Sequence, residues 1–517
     1  MATAAELLAQ ADSEHQARRV DAAVPLYQRA LALDPELFEA WYGLGCARHR
    51  QRGFADAADA LRRAVALRPN ALGARCNLAE ALFQLGETDG AVAEYRRAAD
   101  SSDPELRRIA LAGIACIAPG AMACDNAAVL AARRQWVDTA GRDIQPVSAT
   151  RSPAPGQKLR IGYLGGFFGD RNWMKFVWGV INQHDRMRFE IHLLSDGPDP
   201  TPESGYVDHA DDRIWDVVGV SNADLAHHIA AAELDVLVDL NGYSTQPRLL
   251  LFRYRAAPLQ VSWMGMYGTT GVPEIDYVVG DESAIPPEED KFYCERVVRA
   301  PGSYLAFTVP YAVPDVLPPP SLAGGGVTFG CLASAYKLTP PTIAAYARIL
   351  HGAPASRLLL RNRTLGEPCN RAALLARFAA HGIGEDRLVL EPGAEHLEFL
   401  RTYDRVDIAL DTFPYNNGTT TAEALWQGVP MLTFNGDRWA ARTSRSILRA
   451  AGLGQFVAPD EAGFVAAAIK LADDPGTPAM LAELRSGMRD RLRTSPACDT
   501  TTLCRTLETL YQRAVTG

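Results

Sequence analysis

Three stretches near the start of the chain repeat one another: VDAAVPLYQRALALDP at 20–35, FADAADALRRAVALRP at 54–69 and TDGAVAEYRRAADSSDP at 88–104. Pro35 and Pro69 lie 34 residues apart, and Pro104 follows 35 later. Within the repeats, Ala30 and Ala64 recur at one position of the second segment, while Trp41, Leu44 and Gly45 precede the second copy and Leu78 and Ala79 fill the same slots one period on. A period of 34 with alternating small and large apolar residues predicts stacked helix pairs. Each pair buries its apolar face only against a neighbour, so about three are needed for a stable short solenoid. Residues 104–142 continue in helical pattern and are expected to cap it. SATRSPAPGQK (148–158) reads as a linker.

From residue 159 the period changes. Short apolar, β-branched runs alternate with helical segments: LRIGYL (159–164), FEIHLLS (189–195), DVLVDL (235–240), LQVSWMG (259–265) and DYVVG (276–280). A Pro/Gly-rich stretch, 307–326, reads as an interdomain linker. A second series follows: VTFGCLAS (327–334), SRLLLRN (356–362), RLVLEP (387–392), VDIALDT (406–412) and PMLTFNG (430–436). Continuous apolar strands between helices imply parallel sheets covered on both faces. Two such series predict an α/β chain with two Rossmann-like domains facing a cleft, here 158–306 and 327–517, behind an all-α unit at 1–147. Ligands of such folds bind at the carboxyl ends of the strands.

One strand end carries the strongest local signal. Asp411 to Pro430 reads DTFPYNNGTTTAEALWQGVP: a turn through Pro414, Asn416, Asn417 and Gly418, then a helix opening on Thr419, Thr420 and Thr421. A helix N-terminus carries unpaired N–H donors and partial positive charge, which suits an anion. Glu423, in the first turn, is placed to reach a ribose or another hydroxyl-bearing group. Read locally, the segment is equally an ordinary N-capped helix.

The net charge of −9 leaves no basic excess for general nucleic-acid binding. No run of 18 apolar residues predicts a membrane span, and the N-terminus lacks the pattern of a signal peptide. Nine cysteines without CxxC or zinc spacing are expected to be free thiols, Cys116, Cys124, Cys498 and Cys504 included, in a reducing cytoplasm.

The repeats carry the W-x2-L-G signature of tetratricopeptide units. The arrangement as a whole resembles family 41 glycosyltransferases, the protein O-GlcNAc transferase and SPINDLY group. The likeness rests on 239–287 (DLNGYSTQPRLLLFRYRAAPLQVSWMGMYGTTGVPEIDYVVGDESAIPP), SAYKLTP (334–340), His396 with YDRVDIALDT (403–412), and 411–430. It implies tetratricopeptide repeats before a two-domain GT-B core. The activity implied is inverting transfer of a sugar from a nucleotide-sugar, normally UDP-GlcNAc, to serine or threonine of a protein. Fucosyl-transferring relatives use GDP-fucose on the same scaffold. A protein or peptide acceptor would lie along the repeat groove, and the repeats would equally suit a spacer or a homo-oligomer contact.

The same resemblance assigns roles. Lys337 matches the family's phosphate-binding lysine and would balance charge on the leaving diphosphate, assisted by Gly418, Thr419, Thr420 and Thr421. His396 matches a uracil-contacting histidine, and Glu423 stands where the family has an aspartate. Met264 and Gly265 match the strand end near the donor sugar. Ser334 opens the Lys337 segment, and Tyr243 is open between site and wall. No Asp-x-Asp cluster is well placed, so neither a metal nor another cofactor is expected.

One departure stands out. The family's first strand is followed by a glycine-x-histidine-proline turn; here Arg171 occupies the histidine position and Asn172 the proline position. Arginine cannot act as a base at neutral pH. Three readings stay open: Arg171 reads a charged group on an altered donor or acceptor; transfer is conventional because the histidine was never the essential base; or the chain is a repeat scaffold with a silent transferase fold. Asp170 is a substitute base or simply a turn aspartate.

Overall fold

A computed structural model describes residues 2–147, 153–154, 156–244, 248–265 and 267–516. Most of the expected linker at 148–158 lies outside them.

Among the described residues the N-terminal unit consists of three antiparallel helix pairs, Ala4–Gln16 with Val20–Leu33, Phe38–Arg50 with Phe54–Leu67, and Leu72–Gln84 with Thr88–Ala99. Helices Pro104–Ile117 and Asn126–Ala140 follow. The period is a packing requirement. Ala30, Ala64 and Ala98 are all fully buried at equivalent positions, where a larger side chain would push the paired helices apart. Gly43 and Gly113 admit the rings of Tyr27 and Tyr95, the nearest ring atom in each case lying 2.5 Å from where a Cβ would stand.

The first α/β unit holds seven parallel strands: β1 (Leu159–Gly165), β2 (Phe189–Ser195), β3 (Arg213–Asp216), β4 (Val236–Asp239), β5 (Leu259–Ser262), β6 (Tyr277–Gly280) and β7 (Arg296–Arg299), in the order 3-2-1-4-5-6-7. The second holds six: β8 (Thr328–Cys331), β9 (Arg357–Arg361), β10 (Leu388–Glu391), β11 (Ile408–Leu410), β12 (Met431–Phe434) and β13 (Val457–Ala458), ordered 10-9-8-11-12-13. Both sheets therefore reverse direction beside their first strand, and that switch point opens a crevice at the strand ends. The ten expected strands are present. β3, β7 and β13 are additional; each is short and lies at a sheet edge, where part of the strand is solvated and the apolar run is lost.

The segment 307–326 links the two units without a strand, held where Asp407 accepts from the Ser321 N–H and hydroxyl. The last helix, Thr500–Thr516, does not stay with the second sheet. It crosses back onto the first unit, where Glu508 meets His184 at 3.0 Å and the Tyr511 and Tyr163 hydroxyls lie 3.4 Å apart. A second domain running unbroken to residue 517 therefore misplaces this helix. Its apolar face is completed by the first sheet.

The two α/β units also meet directly. Trp439 Nε1 donates to the Tyr304 hydroxyl at 2.9 Å, and Arg442 pairs with Glu289 at 2.6 Å. The solenoid packs on both. Arg133, fully buried, donates to Thr269 O at 2.6 Å, while Arg377 of the second unit donates to Leu85 O at 2.7 Å and to Leu338 O at 2.8 Å. No helix among the described residues is long and apolar enough to cross a membrane.

Candidate active site

The crevice at the strand ends holds a cavity of about 830 Å³, joined through shared walls to a smaller chamber of about 390 Å³. Leu332, Ser334, Tyr336, Thr419 and Thr420 border both.

The loop after β11 is rigid by construction. Buried Asp411 accepts from Asn417 N at 2.9 Å, from its Nδ2 at 3.0 Å and from the Thr433 hydroxyl at 2.7 Å. Thr339 and Thr342 hydroxyls both donate to Phe413 O. This fixes the start of the helix Thr419–Trp426, which Gly418 precedes with no side-chain cap. Gly418 lines the smaller chamber, and a Cβ there would stand 2.9 Å from the Tyr267 hydroxyl.

Lys337 closes a 3-10 turn after β8. Its Nζ donates to Asn416 O at 2.8 Å and lies 4.8 Å from the centre of the Tyr415 ring. Burial pushes its pKa down to about 8, against the pull of Asp411 and Cys331. A cation is thus held beside the first turn of the 419–426 helix, in the smaller chamber.

His396, at the start of the helix His396–Arg401, lines the larger chamber. Neither ring nitrogen has a hydrogen-bond partner among the described residues, and the ring meets Tyr311 edge-on at 5.5 Å. Burial, then Lys175 and Arg171, lower its pKa to about 4. The ring is neutral at pH 7, and both of its nitrogens are buried without a protein partner among the described residues.

Glu423 lines the same chamber and is ion-paired through Oε1 with Lys175 Nζ at 2.8 Å; both side chains are buried. Arg171 opens the short helix Arg171–Met174, its guanidinium 5.9 Å from the centre of the Tyr311 ring. Asp170 caps that helix, its Oδ1 accepting from Asn172 N at 2.7 Å and Trp173 N at 3.3 Å.

Other expected residues sit differently. The Thr421 hydroxyl turns inward to Asn417 O and Ser444 Oγ, each at 2.8 Å, and Thr421 lines neither chamber. Thr421 is the third residue of the helix, and its hydroxyl reaches back to the carbonyl four residues before it. Tyr243 forms a wall of the smaller chamber; its hydroxyl donates to Thr270 O at 2.7 Å, and the Arg133 guanidinium covers its ring at 4.1 Å. Met264 and Gly265 line neither chamber. Both have positive φ, and a Cβ on Gly265 would come within 2.7 Å of the Gly242 backbone, so this glycine is needed for the close approach of two strand-end loops.

Several residues of the site escaped sequence reading. Tyr311, Arg361 and Arg363 surround His396 or its chamber, and Phe83, Gln84 and Arg52 reach the cavities from the repeats. Lys175 had a legible signal: it is the one charge in WMKFVWGV. Among the described residues, metal-ligand spacing occurs at His184, Cys504 and Glu508. Cys504 and Glu508 lie on the last helix, hydrogen-bonded to each other and to His184 of the first unit, and the three line neither chamber.

The model of glycosyl transferase family 41 matches residues 143–308 and 321–507, most of the chain. The chain belongs to glycosyltransferase family 41. A tetratricopeptide model matches 8–52 and 44–105. Family relatives include the tomato (Solanum lycopersicum) protein described as "Probable UDP-N-acetylglucosamine--peptide N-acetylglucosaminyltransferase SPINDLY", 31% identical over 376 residues, 71% of this chain and 40% of that one. Arabidopsis thaliana SEC, described as a probable transferase of the same kind, is 31% identical over 367 residues, 69% of this chain and 37% of its own. The chain thus spans about two fifths of the length of these curated family members. A solved mutant of Thermobaculum terrenum O-GlcNAc transferase superposes with a TM-score of 0.79 at 30% identity, covering 100% of this chain and 99% of that one. This agrees with the GT-B architecture and repeat arm derived above.

Proposed function

We propose that this family 41 member is an inverting, metal-independent glycosyltransferase that moves GlcNAc from UDP-GlcNAc to serine or threonine hydroxyls of protein acceptors. The observation that carries the reading is convergence. Lys337 after β8, His396 after β10, and the uncapped helix start at Gly418–Thr420 with Glu423 after β11 come from three strand ends to one pair of joined chambers. The acceptor oxygen attacks the anomeric carbon, the C–O bond to the diphosphate breaks with negative charge growing on the leaving phosphate, and the hydroxyl proton is released to water. Lys337 and the helix N-terminus oppose that charge without a metal ion. His396, neutral and unpartnered, receives the base. The repeats supply chamber wall through Phe83, Gln84 and Arg52, so an acceptor lying along their groove reaches the reacting carbon from that side. Nine free thiols suit a reducing cytoplasm.

Arg171 supports a second reading, in which the donor or acceptor carries an additional negative group. It faces the larger chamber together with Arg52 and Arg363. Intact masses of candidate acceptors after incubation with UDP-GlcNAc, other UDP-sugars and GDP-fucose test both. Addition of one N-acetylhexosamine supports the first reading, and addition of an acidic sugar alone supports the second. No nucleotide-sugar raising the melting temperature would favour a scaffold with a silent fold.

A further inference from the structure

Behind the wall of the larger chamber lies a buried ion pair that none of the expected roles requires. Lys175 follows the short helix after β1, in the first α/β unit; Glu423 lies in the second turn of the helix after β11, not the first turn expected from the sequence, in the second unit. Their side chains are 2% and 4% exposed, and Nζ meets Oε1 at 2.8 Å. Glu423 lines the chamber, whereas Lys175 does not. The lysine therefore stands behind the carboxylate, reaching it from the opposite side of the crevice. Its backbone is also fixed, since the Lys175 carbonyl accepts from Thr308 N at 2.9 Å, where the chain leaves the first unit.

A carboxylate in this position has a difficulty that the lysine resolves. Burial pushes the Glu423 pKa up, Lys175 opposes that rise by charge and hydrogen bond, and Asp170 adds to it. Tyr311 and Tyr403 also face Glu423, both with hydroxyl pKa values raised above the ordinary range. Without Lys175 that rise is unopposed from this side and the carboxylate loses its anchor. With it, one oxygen is anchored beside a cation and the carboxylate has a fixed orientation. A charged, oriented carboxylate is the group that accepts from a vicinal diol.

We propose that Lys175 is a positioning residue for the donor: by pairing with Glu423 across the crevice, it orients that carboxylate to accept from the ribose hydroxyls of the nucleotide-sugar. This rests on the donor reading above. Ribose recognition then requires both α/β units, although only the second contacts the ribose, and the diol is read only when the two units are closed on each other. Lysine is suited to the task as a compact charge on a flexible stem that fits behind a side chain.

The test is calorimetric. Binding of UDP and of 2′,3′-dideoxy-UDP is measured for the wild type, Lys175→Met, Lys175→Arg and Glu423→Gln. The wild type is expected to prefer UDP by roughly tenfold, the scale of a lost hydrogen bond to a charged group. Lys175→Met and Glu423→Gln should lose most of that preference and Lys175→Arg should keep it. A merely structural lysine would weaken both nucleotides together and leave their ratio unchanged. An unchanged ratio in Lys175→Met, or equal binding of the two nucleotides by the wild type, overturns the proposal; the second result needs no variant to fold. Failure of the wild type to bind either nucleotide removes the donor reading itself and this proposal with it.

Discussion

The ammonium of Lys337 donates to the backbone carbonyl of Asn416 at 2.8 Å, which ties the loop after β8 to the turn that starts the helix at Thr419. Two sources of positive potential, a side-chain cation and a helix N-terminus, thereby become one unit. Asp411 holds the same turn from below through both Asn417 donors. The arrangement exists before any ligand binds, so it loses little in reorganisation when charge develops.

A pH dependence follows from Lys337. Burial lowers its pKa to about 8, so the cation is present below that value and lost as pH rises through it. kcat/KM for the donor, which reports the free enzyme, should fall on the alkaline side of about 8. Lys337→Arg should move that limb beyond the range while keeping a charge in place. A profile that falls at the same pH in Lys337→Arg would assign the limb to another group.

Arg171 should bind and not exchange protons. Arg171→Ala is expected to raise KM for donor or acceptor by about tenfold or more, with a smaller change in kcat, as for loss of a charged hydrogen-bond partner. A drop confined to kcat would instead place it on the transition state. Steady-state kinetics with both substrates varied separates the two.

The contact between repeats and transferase core is tight at Gly86. Its φ is +81°, and a Cβ would lie 2.5 Å from Leu338 O, in the residue after Lys337. Gly86→Ala is expected to cost on the order of 1–3 kcal/mol through backbone strain and to lower turnover by displacing the Lys337 turn. Denaturant melts and donor kinetics on one preparation check both effects.

Much of this was legible in the sequence, for physical reasons that differ by region. The repeat was readable because Ala30 and Ala64 obey a local steric rule. The strand-end motifs were readable because Gly418 and the threonines serve backbone geometry within a few residues. The direction in which a side chain faces was not readable. Thr421 and Thr420 are neighbours of one type, yet one bonds Ser444 inside the domain and the other borders the cavity. Nor were partners distant in sequence: Lys175 and Glu423 are 248 residues apart, and His184 and Glu508 are 324 apart. β3 and β7 escaped because edge strands of four residues need no apolar run.

The last helix gives a stability test. Burial opposes ionisation of Glu508, but hydrogen bonds from His184, Arg505 and the Asp185 N–H bring its pKa down to about 2. A carboxylate held below its ordinary value adds stability above that value, and the contribution disappears as pH falls through the folded-state value. Glu508→Gln should therefore lower unfolding free energy by about 1–3 kcal/mol at neutral pH. The difference from wild type should shrink as pH falls from about 4.5 toward 2. Urea melts across that range read it directly.

The role proposed for Lys337 is to stabilise the departing diphosphate. Its most direct test is turnover of UDP-GlcNAc, as transfer or as hydrolysis, by wild type and Lys337→Ala with matched melting temperatures. Turnover is expected in the wild type, with a loss of about 10²–10³-fold in kcat for the variant, the scale of removing one preorganised charge-stabilising group. Turnover by Lys337→Ala at the wild-type rate would contradict it.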